Sequence, residues 1–261
     1  MRRHHLVNVA ILVLVLGVSS FAQAVKPEDN RATREKGKQI FDRSCLFCHG
    51  AEGKGDGPSG WFLGRYAAPH PRNFTSEGFK LRSTESGMLP TDQDLFRTVT
   101  QGIPGYMPSF ASLTEEERWQ IIAYVKAFNP AFKDEKREPM TFGFPPFAPS
   151  EDSIANGQKI YEQFGCVNCH GLNGKGDGTE SLEGNLKDGR GLSIRATDLT
   201  ERSSFKNGSS ARDIYRSIMT GFDGAPMPSF VNQFQGKGKS DQDAWDLVYY
   251  ILSLSQEGRL P

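Results

Sequence analysis

Cysteine is scarce in this 261-residue chain, and two short motifs use all four of the cysteines that occur. An excess of one charge is also missing, because 31 lysines and arginines balance 31 aspartates and glutamates. This balance argues against a nucleic-acid-binding protein, whose contact surface is strongly basic. No stretch of useful length alternates apolar and polar residues, so the sequence gives no support for a β-sheet fold.

Long hydrophobic runs are limited to the N-terminus. Residues 6–18 are almost purely apolar, follow a basic start and precede the small residues Ala22 and Ala24. This order is typical of a secretory signal peptide, and the run is shorter than the roughly 20 residues that span a bilayer. We predict that residues 1–24 are a signal peptide, and that the mature chain is periplasmic, begins at Val25 and lacks an integral membrane span.

The four cysteines lie in two pentapeptides, CLFCH at 45–49 and CVNCH at 166–170. A redox CxxC normally sits in a βαβ unit, and a zinc site needs four converging ligands, which neither half offers. A histidine directly after the second cysteine favours covalent haem c instead, since thiols one helical turn apart can reach both vinyl groups. We predict two covalently bound haem c groups, attached through Cys45, Cys48, Cys166 and Cys169, with His49 and His170 as axial iron ligands.

The sequence around the pentapeptides is repeated. Five segments of the first half recur in the same order in the second, at offsets of 119 to 126 residues, among them GKGDG at 53–57 and 174–178. We therefore predict two copies of one domain, at 25–129 and 151–261. The connector at 130–150 is rich in proline, but its Phe142, Phe144 and Phe147 are too apolar for a free tether, so we expect it to lie against a domain.

Helical periodicity runs through each copy. Helices are expected over Thr33–Arg43, Thr91–Gln101 and Ser153–Phe164, and a last helix in each half is expected after Leu113 and from Ser240 to Leu254. Thr91 is a suitable N-cap and Gly102 a suitable C-cap. The predicted fold class is all-α with long glycine-rich loops.

The distal side of each iron needs its own ligand. Only three histidines follow the predicted signal peptide, so the two irons cannot both have two histidine ligands. Met107 and Met227 lie in a repeated MPSF segment, 58 and 57 residues after the two histidines. A neutral thioether raises the reduction potential of a haem, and we predict these two methionines as the distal axial ligands.

The remaining candidates are weaker. Met219 is expected to pack in the core, and Met88 and Met140 have no counterpart in the repeat. His70 is expected to be a loop residue, with displacement of Met107 in some state as the alternative. The GKGDG loops are expected to be turns, with a calcium role for Asp56 or Asp177 as the alternative.

Each half resembles a class I cytochrome c domain, with CxxCH near the first helix and a methionine before the last. The tandem pair is similar to periplasmic di-haem cytochromes and to the di-haem subunit of cbb3-type oxidases, although that subunit has membrane spans and this chain shows none. The resemblance implies that the first and last helices of each domain cross at a small residue, at Gly37 and at Gly157.

Two irons with both axial positions filled leave no site for a substrate, so we predict an electron-transfer protein and no catalytic residue. It would shuttle single electrons between redox protein partners of a respiratory chain. Three alternatives stay open: a haem subunit of a larger respiratory oxidoreductase complex, a di-haem enzyme such as a peroxidase, and a haem-based gas sensor.

Overall fold

The computed structural model describes residues 26–60, 70–75, 78–134, 136–143, 145, 147–235 and 239–255. Their regular structure is helical, and the only β-type pairings found among them are two isolated bridges, Ile103 with Met107 and Lys187 with Ser193. The predicted all-α class is therefore confirmed. The predicted signal peptide and Phe144 lie outside the described residues. Within those residues, no helix has both the length and the apolar character that a membrane span requires.

Four helices of the first half have counterparts in the same order in the second half. Those of the first half are α1 (Arg31–Ser44), α2 (Leu46–His49), α3 (Asp92–Gln101), α4 (Glu115–Lys126) and α5 (Ala131–Asp134). Those of the second half are α6 (Glu151–Gln163), α7 (Cys166–His170), α8 (Thr179–Leu182), α9 (Ala211–Thr220), α10 (Val231–Gln235) and α11 (Asp241–Leu254), with a 3₁₀ turn at Arg202–Ser204. The counterparts of α1 to α4 are α6, α7, α9 and α11, in that order.

Local capping explains where the helices begin and end. Thr91 Oγ1 accepts a hydrogen bond from Asp94 N, and the Asp94 carboxylate accepts one from Thr91 N, which forms a complete capping box before α3. Gly102 ends that helix at φ 70°, a region that favours glycine. Helix α1 begins two residues before the expected Thr33, because the Asn30 side chain accepts from Thr33 N and so caps an earlier start.

The first and last helices of each half cross at a glycine. A Cβ atom on Gly37 would lie within overlap distance of the Gln120 carbonyl oxygen, and one on Gly157 would overlap the Asp246 carbonyl oxygen. The crossing helices α1 and α4, and α6 and α11, therefore touch through their backbones. One aromatic pair supports each crossing at a ring-centroid distance of 5.2 Å, Phe41 with Tyr124 and Tyr161 with Tyr250.

Each half has its own hydrophobic core. The first core is built from residues between Ile40 and Phe132, and the second from residues between Ile160 and Ile251. Trp245, fully buried in the second core, stacks on Tyr215 at 4.4 Å. The structure thus contains two separate packing units, while the predicted boundaries at 129 and 150 stay predictions.

The connector lies against both halves, as its composition indicates. On the first half, Arg137 donates to Pro90 O at 2.9 Å, and Met140 N donates to Ser83 O at 2.8 Å. On the second half, Phe142 and Phe147 pack against the core. Phe142 meets Tyr215 at 5.7 Å, and Tyr249 Oη donates a hydrogen bond to Phe147 O.

Arginine side chains join the two halves. Arg82 is fully buried, donates to Thr220 O at 2.7 Å and forms an ion pair with Asp223 at 2.9 Å. Arg97 donates to the side-chain oxygen of Asn207 at 2.8 Å. Guanidinium groups suit this position because each can satisfy several acceptors in a fixed plane. The two halves are therefore held in one arrangement by directional contacts.

Asp92 ties three segments of the first half together. Its carboxylate pairs with Lys26 at 2.5 Å, with Arg137 at 2.8 Å and with Lys126 at 3.0 Å. Burial alone would raise the pKa of Asp92, but hydrogen bonds from these three cations outweigh that effect and hold the pKa well below its usual range. A carboxyl group whose pKa is depressed by folding stabilises the native state at neutral pH.

Replacement of Gly157 by alanine should strongly destabilise the second half. The new methyl group has to displace the backbone of α11, and overpacking of this kind costs about 3 kcal/mol. Denaturant unfolding of the haem-loaded protein measures the effect. Lys159→Ala, at an exposed position on the same helix, is the control and should change stability by only about 0.5 kcal/mol. Equal effects of the two substitutions would show that the crossing tolerates a Cβ.

Replacement of Asp92 by asparagine should lower the free energy of unfolding at pH 7 by about 2 kcal/mol, because charge-assisted hydrogen bonds are lost. The wild-type advantage is present above the unfolded-state pKa of about 4 and disappears as the pH falls through the lower folded-state pKa. Denaturant unfolding from pH 7 to pH 2 measures this convergence. The control is Asp42→Asn, which removes an exposed i,i+4 ion pair with Lys38 and should have little effect on stability. If the stability difference between wild type and Asp92→Asn did not change with pH, the stabilisation would not come from the ionised Asp92 carboxylate.

Candidate cofactor sites

The two CxxCH segments occupy equivalent places at the end of the first helix of each half. Cys45 is the C-cap of α1 and Cys48 lies on α2, while Cys166 and Cys169 both lie on α7. None of the four thiols is in a disulfide. Burial raises the pKa of Cys45 and of Cys166 to about 11. A reactive redox CxxC has a depressed thiol pKa, so this environment disfavours the dithiol alternative.

Each histidine is oriented by one backbone carbonyl. His49 Nδ1 lies 3.3 Å from Arg72 O, and His170 Nδ1 lies 2.9 Å from Thr197 O. A carbonyl can only accept, so Nδ1 carries the proton in both rings and Nε2 keeps its lone pair. An imidazole held in this way presents Nε2 to a metal, with the second hydrogen bond fixing the ring plane.

The surroundings keep both histidines neutral. Burial lowers the pKa of His49 to about 4, against the hydrogen bond to Arg72 O, which favours the charged form. Burial also lowers the pKa of His170, and the positive charge of Lys206 acts in the same direction. The His49 ring stacks on Phe74 at a centroid distance of 4.5 Å, which accounts for part of its burial. A neutral imidazole is the form that binds a metal.

The GKGDG loops set the position of these carbonyl acceptors. Gly55 N donates to His49 O at 2.9 Å, and Gly176 N donates to His170 O at 2.8 Å. Both glycines have φ above 70°, and a Cβ on either would collide with the chain just before the acceptor, at Pro71 O or Ala196 O. Glycine is needed there for a close backbone approach, which supports the predicted turn function.

The two MPSF segments also share one geometry. Phe110 N donates to Val99 O at 3.1 Å, and Phe230 N donates to Ile218 O at 3.0 Å, so each segment is tied to the end of the preceding helix. The predicted ligands Met107 and Met227 lie in these distal loops, residues 103–110 and 222–230, and both are half-buried. Side chains of this kind can supply a thioether to a cofactor seated between loop and histidine.

The other candidates lie elsewhere. Met219 is 2 % exposed in the second core, in agreement with a packing function. The structure places His70 against the other half, with its Nδ1 3.1 Å from Arg190 Nη1. Among the described residues, no group of three or more His, Cys, Asp or Glu side chains is arranged to hold a metal ion. Asp56 and Asp177 therefore do not belong to a calcium-type cluster in that part of the chain.

The donor set of each half fits a covalently attached haem. Two thiols sit on one helical turn, the adjacent histidine is neutral with its Nε2 lone pair available, and a methionine is held in a loop tied to the preceding helix. Imidazole and thioether are the axial ligand pair of c-type cytochromes. Each half therefore contains one set of residues that could hold a haem. The sets are Cys45, Cys48, His49 and Met107 in the first half, and Cys166, Cys169, His170 and Met227 in the second.

Sequence reasoning missed the carbonyl acceptors, because a backbone oxygen carries no residue signature. A weak signal was nevertheless present. Asn73 Oδ1 accepts from Thr75 N at 2.9 Å, and Asp198 Oδ1 accepts from Thr200 N at 2.8 Å, so each acceptor residue precedes an Asx turn of the form Asn/Asp-x-Thr. This sixth repeated segment marks the loop that orients each histidine.

Comparisons with known proteins agree with this geometry. Residues 154–255 match the family model of cytochrome c, and residues 32–125 match that of cytochrome c oxidase, cbb3-type, subunit III. A chain of the Kuenenia stuttgartiensis reducing HAO-like protein complex Kustc0457/Kustc0458 has a similar solved structure, with 38 % sequence identity and a TM-score of 0.77. The match covers 85 % of this chain and 96 % of that one. No curated protein matches the chain.

Proposed function

The chain belongs to the c-type cytochromes, with two cytochrome c domains and two covalently bound haem c groups, and from this premise we propose that it shuttles single electrons between redox proteins. When bound, each haem supplies an iron that accepts or releases one electron at a time. The repeat of one complete donor set in both halves is the observation that carries the proposal. With both donor sets bound, neither iron would keep an open coordination position for a substrate.

The chain's own residues hold and tune the cofactors. Cys45, Cys48, Cys166 and Cys169 attach the porphyrins, and His49 and His170 bind iron through Nε2. Met107 and Met227 would hold the distal side of each iron, and a thioether there would raise the potential because it favours the ferrous state. The hydrogen bonds to Arg72 O and Thr197 O hold each imidazole in one tautomer and one plane, which limits ligand reorganisation during electron transfer.

The shuttle is proposed to work outside the cytoplasm and without catalysis of its own. The basic, apolar and then small residues of positions 1–24 support export to the periplasm. With Met107 and Met227 as distal ligands both irons would be six-coordinate, which favours a carrier over a di-haem peroxidase, since the peroxidase would need one accessible iron. Peroxide turnover by the purified protein would favour the enzyme alternative.

A permanent place in a larger complex is the second candidate. It is supported by the similar structure, which is a chain of a protein complex. In both candidates electrons pass through the same two haems. The candidates differ in whether the redox partner binds transiently or permanently. Co-purification of a stoichiometric partner from the native source would favour the complex, whereas a free monomer in the periplasmic fraction would favour the shuttle.

The exported protein should carry two haems on one chain that begins at Val25. Intact mass of the denatured protein measures both properties, because thioether-linked porphyrin survives denaturation. Cys166→Ala with Cys169→Ala should remove one haem from the mass and leave the other. A wild-type mass with fewer than two porphyrins would contradict the carrier proposal.

Replacement of Met227 by alanine should lower the potential of one haem and open its iron to ligands, and Met107→Ala should do the same at the other. The reduced wild-type protein should show little spectral change with CO, whereas each variant should bind CO at one iron. Met88→Leu, outside the repeat, is the control and should behave as wild type. Wild-type spectra and potentials in both alanine variants would refute the ligand assignment.

A further inference from the structure

A lysine lies where the two halves meet, between parts of both cofactor sites. Lys206 Nζ is 5.4 Å from the ring centroid of Tyr106, the residue before Met107 in the first half. It also donates to Thr197 Oγ1 at 3.3 Å in the second half. The carbonyl of that same Thr197 accepts from His170 Nδ1. One ammonium group therefore contacts both the distal loop of the first half and the residue that orients the proximal histidine of the second.

Lys206 has no carboxylate partner among the residues that the structure describes. Two arginines of this interface differ in this respect, because Arg82 pairs with Asp223 at 2.9 Å and Arg97 with Asp213 at 3.6 Å. No carboxylate of the described part of the chain forms an ion pair with Lys206. A partly desolvated charge acts on its neighbours more strongly than a solvated one, because less water screens it.

A short chain of contacts connects Lys206 to one of the two histidines. Thr197 accepts a hydrogen bond from Lys206 Nζ through Oγ1 and another from His170 Nδ1 through its carbonyl oxygen. Lys206 is half-buried at this position. A single residue therefore separates its charge from the imidazole that is proposed to bind the second iron.

We propose that Lys206 is a positioning residue for electron transfer, whose positive charge raises the reduction potential of the haem held by His170. Reduction adds one negative charge to that site, and a fixed cation nearby stabilises the added charge. The contact with Tyr106 holds the ammonium group at the interface through a cation–π interaction. This inference rests on the proposed electron-transfer function and adds one determinant of the order of the two potentials.

The first half carries its positive charge in a different place. There the carbonyl acceptor for the histidine belongs to Arg72, a residue that itself carries a positive charge. Lys206 is instead eight residues past Asp198, the acceptor of its Asx turn, and reaches back to Thr197 through its side chain. Removal of Lys206 should therefore affect the two haems unequally.

A redox titration of haem-loaded Lys206→Met and Lys206→Gln proteins tests the inference. The haem of the second half is first identified as the one whose potential changes in Met227→Ala protein. In both Lys206 variants this potential should move downward, with the reduced-to-oxidised ratio at a fixed applied potential falling on the order of tenfold. The potential of the other haem should move less.

Two controls separate the charge from a merely structural contribution. Lys206→Arg keeps the charge and should retain the wild-type potentials. Lys159→Met removes a lysine charge from the exposed face of α6 and should leave both potentials unchanged. Haem content and circular dichroism confirm that each compared protein is folded and loaded.

Each outcome decides the inference. Wild-type potentials in Lys206→Met and Lys206→Gln would overturn it and leave the electron-transfer proposal intact, provided that two reversible one-electron steps persist. An equal downward shift in Lys206→Arg would overturn it as well, because the loss would then follow the side chain's shape. Absence of two reversible steps in the wild type would instead refute the proposed function.

Discussion

The hydrogen bond from each proximal histidine to a backbone carbonyl is the contact on which both sites depend. It puts the proton on Nδ1, keeps Nε2 available and fixes the ring plane. The carbonyl is in turn placed by a glycine-rich loop that can approach the backbone only without a Cβ, as at Gly55 and Gly176. A motif typical of a simple turn thus helps to fix the ring of the histidine that is proposed to bind iron.

Much of this architecture could be predicted from the sequence, because it follows from local patterns that occur twice. The helix starts at Thr91 and Ser240 are marked by capping residues, and the crossings at Gly37 and Gly157 follow from the family resemblance. The carbonyl acceptors could not be predicted, since any residue can supply a backbone oxygen. The contacts of Arg82, Arg97 and Lys206 were also missed, because an arginine or lysine on a loop gives no sign of what it meets more than 100 residues away.

The two halves share a plan but differ where they meet. The first supplies Arg82 and Arg97 to the interface, and the second supplies the oxygens that accept from them. This contact is not symmetric, because the arginines come from one copy and the accepting oxygens from the other. The two copies therefore present different residues to the interface. The same asymmetry distinguishes the proximal surroundings of the two histidines, through Arg72 in one half and Thr197 with Lys206 in the other.

The connector is divided between the halves, and this has a consequence for how the two halves depend on each other. Its first part, up to Met140, packs on the first half, and Phe142 and Phe147 pack on the core of the second. Every residue of the first core precedes residue 133, so that core is complete within one stretch of chain. The second core, in contrast, recruits side chains from the segment that precedes its first helix, so a cut between residues 140 and 150 would cost the second half more than the first.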